Sequence, residues 1–302
     1  MRLLIVKFSS IGDCVMAVPV ASRVRRALPD AFIAWAVDPR CQAVLDWRKV
    51  GEDKPLLDLK FDIPWETWKR ERAGSLTHIR HYLKLRAHRF DVALDLQGHS
   101  KTAICLRLCG AKRRLAARAI DGFARLLNPI APRGQAIHTV ERNLETLAAV
   151  YDSRADASPI MPNLPPVTLP DNLATIAVGS GHPRKNYARW GEVAGELDQR
   201  GMQVAFLGGP GESAPCDVGL NLVGKLDLDQ TMAWVAGSRV HLAADTGTGH
   251  IAAAYGIPVV SVFGWTRSEV YRPYTNRGIV FDAGKDMTGV EPEQIVEAAC
   301  AF

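Results

Sequence analysis

The chain of 302 residues is 47% hydrophobic and carries a formal net charge of +5, a length and composition that allow two α/β domains of ordinary size, each with its own core. No secretory or transit signal and no bilayer-spanning apolar run is recognised, so a cytoplasmic protein is expected. The six cysteines lack a paired Cys-x-x-Cys spacing, which favours reduced core residues over a zinc site or a disulfide framework.

The first half of the chain alternates short apolar segments with helical patterns, as α/β domains do. Its opening strand leads through the small-residue turn Ser9 to Asp13 into the helical pattern Cys14 to Leu28. Strands are predicted at 3–8, 32–37, 56–61, 91–95 and about 114–118, and a closing helix is predicted at 138–151.

A proline-rich stretch divides the chain almost in half. Ser153 to Asn172 contains five prolines and little apolar periodicity, which predicts a stiff linker. We therefore expect an N-terminal domain at 1–153, a linker at 154–172 and a C-terminal domain at 173–302, with the last helix free to pack back on the N-terminal domain. The second half repeats the alternation, with strands predicted at 174–178, 202–207, 239–243, 258–263 and 278–282.

The segment Asp245 to His250 lies between a predicted strand and a small-residue helix. Its two glycines predict a tight turn that leaves free N–H groups at the helix start, where a phosphate can bind. Asp245 and His250 add a carboxylate and an imidazole, although capping by Asp245 or Thr246 is an alternative interpretation. The dinucleotide fingerprint Gly-x-Gly-x-x-Gly and the P-loop motif do not occur, which argues against nicotinamide and P-loop chemistry.

Five segments, in this order along the chain, resemble signatures of the family-9 glycosyltransferases, the bacterial lipopolysaccharide heptosyltransferases. They are Ser9 to Pro19, Asp95 to Ala103, His138 to Asn143, Asp245 to His250, and Phe263-Gly264. The second is similar to the family's Asp-x-Gln-Gly-x-x-Lys-Ser segment and the third to its His-Ala-Val-Glu-Arg-Asn. The similarity runs from Met1 to about Tyr274, and five ordered motifs are far more specific than any one alone.

The resemblance implies the GT-B architecture, two doubly wound Rossmann-like domains that face each other across a cleft. It implies an inverting, metal-independent transfer of heptose from ADP-heptose to an anionic inner-core lipopolysaccharide acceptor, Kdo-lipid A or heptosyl-Kdo, with transient contact to the inner-membrane surface. The alternatives are a nucleotide-sugar epimerase or hydrolase of the same fold, a transferase that uses another nucleotide sugar, and a non-catalytic sugar-nucleotide binding protein. Asp13, Lys185 and Asp245 together argue against the last.

Glycosyl transfer needs a base that takes the proton of the acceptor hydroxyl while the anomeric carbon becomes positive. Asp13 is the candidate, and the resemblance assigns it the same role. Attack from the face opposite the departing diphosphate forms no enzyme-bound sugar, so one base suffices. The alternative is that Asp13 only caps the helix that begins near Cys14.

The diphosphate leaving group needs positive charge, which Lys185 can supply together with the turn amides at Thr246 to Gly249. The resemblance assigns Glu212 to the donor ribose, whose diol offers a carboxylate two donors. A solvated basic loop and ordinary turn chemistry are the alternatives for these two residues. The expected donor-binding residues are Ser180, Gly181, Lys185, Glu212, Asp245, Thr246, Gly247 and His250.

The chain departs from the family pattern at two loops. Lys185 is followed by Asn186-Tyr187-Ala188 where the family has Lys-x-Trp-Pro, and Gly264 is followed by Trp265-Thr266-Arg267 where the family has Gly-Pro-Thr-Asp. Trp265 can either stack on a sugar or cover the core.

Positive charge is concentrated in the first half of the chain. Lys60 to Phe90 holds eight Lys/Arg and three His against three Asp/Glu, and Lys101 to Arg118 holds six Lys/Arg and no carboxylate. Such a field attracts an anionic acceptor at a membrane surface, where Trp65 and Trp68 are expected to reach the headgroups; a charged helix face is the alternative. No cofactor, metal or nucleic-acid partner is expected. The expected acceptor-binding residues are Ser10, Gly12, Lys101, Arg80 and Lys84.

Overall fold

The computed structural model describes residues 1–45 and 55–302. The chain divides into two compact units, Met1–Asn163 and Leu164–Phe302, and each unit is built around one parallel β-sheet. This is the doubly wound α/β class that the alternation of apolar and helical segments predicts.

The first unit contains five strands and seven helices within the described residues. The strands are β1 (Arg2–Val6), β2 (Phe32–Val37), β3 (Leu59–Asp62), β4 (Val92–Asp95) and β5 (Arg113–Ala116). The helices are α1 (Ile11–Val15), α2 (Val18–Ala27), α3 (Trp65–Arg70), α4 (Ser75–Leu83), α5 (Ser100–Leu108), α6 (Gly122–Leu127) and α7 (Thr139–Ala148). The sheet order is β3-β2-β1-β4-β5, so the buried strand β1 is central.

β3 begins at Leu59 rather than at residue 56. Asp58 explains the later start, because its carboxylate accepts hydrogen bonds from the backbone N–H of Ile33 (2.8 Å) and from the guanidinium of Arg25 (2.7 Å). The side chain of Asp58 therefore bonds to β2 just before the backbone pairing of β3 with β2 begins.

The segment between α7 and the first strand of the second unit contains no helix or strand. Its first part is bonded to α2: Arg23 donates to the carbonyl of Ala155 (3.1 Å), Arg26 donates to that of Ser158 (2.6 Å), and the hydroxyl of Ser22 accepts from the N–H of Ile160 (2.9 Å). These residues of the proline-rich segment are therefore part of the first unit.

The second unit repeats the architecture with six strands and five helices. The strands are β6 (Leu173–Ala177), β7 (Gln203–Leu207), β8 (Leu220–Asn221), β9 (Val240–Ala244), β10 (Val259–Phe263) and β11 (Gly278–Asp282), in the order β11-β10-β9-β6-β7-β8. The helices are α8 (Trp190–Gln199), α9 (Leu228–Ala236), α10 (Gly247–Ala254), α11 (Ser268–Tyr271) and α12 (Pro292–Cys300). Every residue of β6, β9 and β10 is buried, as strands covered on both faces require.

The last helix, α12, contributes to the core of the second unit. α12 packs against α8 and β10, and Ile295, Val296 and Ala299 are completely buried in the core of the second unit. Its apolar face is thus covered within its own unit.

None of the helices in residues 1–45 and 55–302 has the length and apolarity needed to cross a bilayer.

Candidate active site

In the first unit, the candidate site begins at the carboxyl end of β1, the edge at which open parallel sheets bind ligands. The chain turns at Ser10, the N-cap of α1. One carboxylate oxygen of Asp13 accepts hydrogen bonds from the hydroxyl (2.8 Å) and the backbone N–H (3.3 Å) of Ser10. Asp13 therefore does cap α1. Its side chain is still 29% exposed, so capping leaves it accessible to a substrate.

Lys7 binds the other carboxylate oxygen of Asp13. Its ammonium lies 2.8 Å from Asp13 Oδ1 and 3.2 Å from the carbonyl oxygen of Leu96, and Lys7 is completely buried. Burial alone would raise the pKa of Asp13, but the charge of Lys7 and the hydrogen bonds from Lys7 and Ser10 outweigh it and hold that pKa well below its usual range. Asp13 is therefore ionised at neutral pH. The expectations from sequence do not include Lys7, although a lysine at the end of an apolar strand is a usable signal.

β4, the neighbour of β1, supports this loop from the side. Asp95, the last residue of β4, accepts hydrogen bonds from the backbone N–H groups of Gln97 (2.8 Å) and Gly98 (2.9 Å). The side chain of Gln97 in turn accepts from the backbone N–H of Phe8 (2.8 Å). Burial raises the pKa of Asp95 to about 6, against the lowering effect of its backbone hydrogen bonds. The motif that begins at Asp95 thus helps to fix the loop that carries Asp13.

The predicted acceptor residues lie in two places. Ser10 and Gly12 are next to Asp13, at the start of α1. Lys101 is in α5, where its ammonium lies 4.4 Å from the centre of the Trp65 ring and partial burial lowers its pKa. Arg80 and Lys84 are exposed, in α4 and directly after it, and within the described residues no hydrogen bond or ion pair joins them to Asp13.

Trp68 contradicts the expectation that it reaches a headgroup layer. It is buried in the apolar core of the first unit, and its ring stacks on His78 with 4.5 Å between the ring centres. A side chain that fills the core beneath α3 is not available to lipid. The partly buried Trp65 lies under Lys101.

In the second unit, three loops at the carboxyl ends of neighbouring strands meet at Asp245. Lys185, after β6, has its ammonium 2.7 Å from Oδ2 of Asp245, which follows β9. Thr266, after β10, donates its hydroxyl to the same oxygen at 2.5 Å. The ion pair takes one of the three N–H donors of Lys185, whose side chain is 27% exposed. Lys185 and Asp245 are thus brought together, as expected for residues of one site.

The loops after β6 and β7 also meet. The hydroxyl of Ser180 lies 2.6 Å from Oδ1 of Asn186, and the position of a side chain on Gly181 is open space. Glu212 accepts a hydrogen bond from the backbone N–H of Gly209 (2.7 Å), and its carboxylate occupies the space that a side chain on Gly179 would need. Glu212 is therefore positioned by glycines on two loops.

The glycines of Asp245 to His250 do not form the tight turn predicted from the sequence. Thr246 is the N-cap of α10, and Gly247 and Gly249 lie in its first turn without a positive φ. A Cβ on Gly249 would lie 3.3 Å from the ring of Pro273, so this glycine allows close packing. The helix start still offers backbone N–H groups without intrahelical partners. His250 is buried in the same helix.

A buried histidine, absent from the expectations above, lies behind this helix start. His241 is in the middle of β9, with Nδ1 2.9 Å from the hydroxyl of Thr175 and Nε2 2.9 Å from that of Thr248. The hydroxyl of Thr248 lies 2.8 Å from that of Thr246. Burial lowers the pKa of His241 to about 3, so the imidazole is neutral. A chain of hydrogen bonds thus connects the core of the second unit to the N-cap of α10.

Comparison with known proteins identifies the family. The sequence profile of glycosyltransferase family 9 (heptosyltransferase) matches residues 78–294. The chain belongs to this family. It is 27% identical to lipopolysaccharide heptosyltransferase 1 of Pseudomonas aeruginosa over an alignment that covers 88% of this chain and 79% of the relative.

Solved structures show the same GT-B fold. A family-9 glycosyltransferase from Veillonella parvula superposes with a TM-score of 0.81 at 17% identity and covers 99% of this chain and 96% of that one. The E. coli heptosyltransferase WaaC with ADP superposes with a TM-score of 0.79 at 21% identity, over 99% of this chain and 100% of that one.

In this family-9 glycosyltransferase, Trp265 is a surface residue. Its side chain is 47% exposed, the guanidinium of Arg184 lies 4.5 Å from the ring centre, and the ring of His182 is parallel to it at 6.5 Å. Trp265 is therefore half exposed, with its ring beside Arg184 and His182. Within the described part of the chain, no group of three His, Cys, Asp or Glu side chains is arranged to hold a metal ion.

Proposed function

We propose that the chain transfers heptose from ADP-heptose to an anionic inner-core lipopolysaccharide acceptor, Kdo-lipid A or heptosyl-Kdo, at the inner-membrane surface. The family assignment supports a heptosyl transfer, and the ADP in the E. coli WaaC structure supports an adenosine diphosphate leaving group. We further propose that the reaction inverts the anomeric carbon and needs no metal ion.

The observation that carries the proposal is the ionised, accessible carboxylate of Asp13. In the proposed step, the acceptor hydroxyl oxygen forms a bond to the anomeric carbon while the bond from that carbon to the β-phosphate oxygen breaks. The electron pair of the broken bond leaves with ADP, and the hydroxyl proton passes to Asp13. Ser10 and Gly12 border the same acceptor position.

The donor is assigned to the loops of the second unit. Lys185 and the free amides at the start of α10, Thr246 and Gly247, would compensate the charge that develops on the diphosphate, which is the role that a metal ion plays in other transferases. Glu212 would bind the ribose hydroxyls. The remaining assignments to this donor site are Ser180, Gly181, Asp245 and His250.

The proposal is tested by incubating the protein with ADP-heptose, with and without Kdo-lipid A. We expect ADP release only with the acceptor, and a product whose anomeric configuration is opposite to that of the donor. Donor turnover without an acceptor would instead indicate the hydrolase or epimerase alternative, and retention of configuration would contradict the single-base mechanism.

The role of Asp13 is tested with Asp13→Asn and a matched control, Asp156→Asn, at an exposed aspartate of the same unit. We expect Asp13→Asn to bind ADP normally and to lose turnover by about 10² to 10⁴, the range of a general base. The control should be unaffected. Near-normal turnover of Asp13→Asn would remove the base assignment.

Metal independence is tested with excess EDTA. Turnover should persist, because the proposed charge compensation comes from Lys185 and backbone amides. Activity that EDTA abolishes and that only Mg²⁺ or Mn²⁺ restores would contradict this mechanism.

A further inference from the structure

Large apolar side chains are exposed unevenly along the described chain. Nine of them are more than a third exposed within residues 1–45 and 55–302, and five of the nine fall between residues 120 and 137. These five are Ile120 (51%), Phe123 (53%), Leu126 (82%), Ile130 (37%) and Ile137 (52%). Exposed apolar side chains that are neighbours on the surface mark a site that a partner covers.

α6 presents two of these side chains on one side. Phe123 and Leu126 are three residues apart in the helix and therefore neighbours on its surface. The opposite side is fixed to the unit, because Ala124 is buried and Asn128, just after the helix, donates to the carbonyl of Ala103 in α5 (2.8 Å). The apolar exposure is therefore built into a packed helix.

The exposed charges between these apolar residues are positive. Arg125 and Arg133 are both exposed. The one carboxylate between residues 117 and 137 belongs to Asp121, which is occupied by the backbone N–H (2.8 Å) and hydroxyl (2.5 Å) of Ser100 and by the N–H of Ala124 (2.8 Å). An anionic partner would thus meet two exposed arginines and one carboxylate, which is an excess of positive charge.

We propose that the apolar–basic surface, formed by α6 and its flanks at residues 120–133, binds an anionic phospholipid bilayer. Apolar side chains alternating with arginines match the acyl and headgroup layers of such a membrane. A second copy of the chain fits less well, because a two-fold symmetric contact would bring two surfaces with an excess of positive charge against each other. This surface is distinct from the basic region Lys60 to Phe90.

The test is co-sedimentation of the full-length protein with vesicles of phosphatidylglycerol and phosphatidylcholine, or of phosphatidylcholine alone, without donor or acceptor. The protein should bind the anionic vesicles preferentially. Phe123→Ser/Leu126→Ser should weaken this binding by about tenfold or more. Arg125→Gln/Arg133→Gln should weaken it by about fivefold per arginine. Leu220→Ser, at an exposed leucine of the second unit, is the matched control and should bind normally.

Equal binding of the Phe123→Ser/Leu126→Ser variant and the wild type, in samples with the same circular dichroism spectrum, would overturn the proposal. Equal binding to anionic and neutral vesicles would also do so. Light scattering tests the rival occupant, since a wild-type dimer that becomes a monomer in this variant would assign the surface to a second copy. Because no substrate is present, the result is independent of the proposed transfer reaction.

Discussion

A completely buried ammonium, that of Lys7, lies against the carboxylate that we propose as the base. The pair has two opposing effects on Asp13. Lys7 lowers its pKa and so weakens it as a base, but Lys7 also keeps it ionised at every pH at which the protein is expected to work. An accessible base in a largely buried position needs such a partner, because burial alone favours the protonated carboxyl group.

Replacement of this lysine should therefore change the pH dependence of turnover. In Lys7→Met, the pKa of Asp13 should rise because burial is then opposed only by Ser10. A base works only when ionised. The loss of activity on acidification should therefore begin at a higher pH in Lys7→Met than in wild type. Lys112→Met, which breaks the surface pair with Asp91, is the control. Identical acid limbs of the kcat/KM profile in wild type and Lys7→Met would contradict the coupling.

The pair of Lys185 and Asp245 allows a double-mutant test of the donor site. Lys185→Ala should weaken ADP binding by about 10- to 150-fold, the effect of about 1.5 to 3 kcal/mol for a charge-assisted contact. Part of this loss should come from the unpaired negative charge of Asp245. Lys185→Ala/Asp245→Asn should therefore bind ADP better than Lys185→Ala. Calorimetric titration measures both variants, with Lys225→Ala as the control; additive effects would show that the residues act separately.

At the scale of elements, most strands could be predicted because buried parallel strands are continuous apolar runs. β8 could not be, since it has two residues and both are exposed. The glycines of α10 were predicted to form a turn. Their local sequence does not distinguish a turn from a helix start at which Gly249 allows the close approach of Pro273. The contact between Lys185 and Asp245 could be anticipated because both residues follow strands of one parallel sheet. The partners of Lys7 and His241 are distant in sequence, at Leu96 and Thr175 for example, so their roles depend on the fold.

His241 should make the stability of the second unit sensitive to acid. The folded state keeps it neutral with a pKa of about 3, whereas the unfolded state binds a proton below about pH 6.5. The free energy of unfolding should therefore fall as the pH drops from 6.5 toward 3. Urea titrations measure this free energy of unfolding. Its decrease between pH 7 and pH 5 should be about 2 kcal/mol smaller in His241→Asn than in wild type. His182→Asn, at an exposed histidine, should behave as wild type; the same loss in all three proteins would contradict this.

At the scale of the whole molecule, a net charge of +5 hides an uneven distribution, with most of the basic runs in the first unit. Arg80 and Lys84 are exposed members of that field. Arg80→Gln/Lys84→Gln should weaken binding of an anionic acceptor but leave ADP binding unchanged, because the proposed donor residues belong to the second unit. Added salt should reproduce the effect, since exposed charges are screened beyond about 8 Å at physiological ionic strength. Acceptor affinity that is constant across a salt series would reduce this patch to an ordinary charged surface.

The hydrogen bonds between α2 and the proline-rich segment determine where the chain can be divided into fragments. A first fragment that ends at residue 153, where the composition changes, would leave Arg23 and Arg26 without the carbonyl groups to which they donate. It would also remove the N–H partner of Ser22, which is completely buried. A fragment that ends at Asn163 keeps all three contacts. A fragment of the first unit should therefore end at Asn163, because α2 binds backbone groups up to residue 160. This boundary lies ten residues after residue 153, where the composition changes.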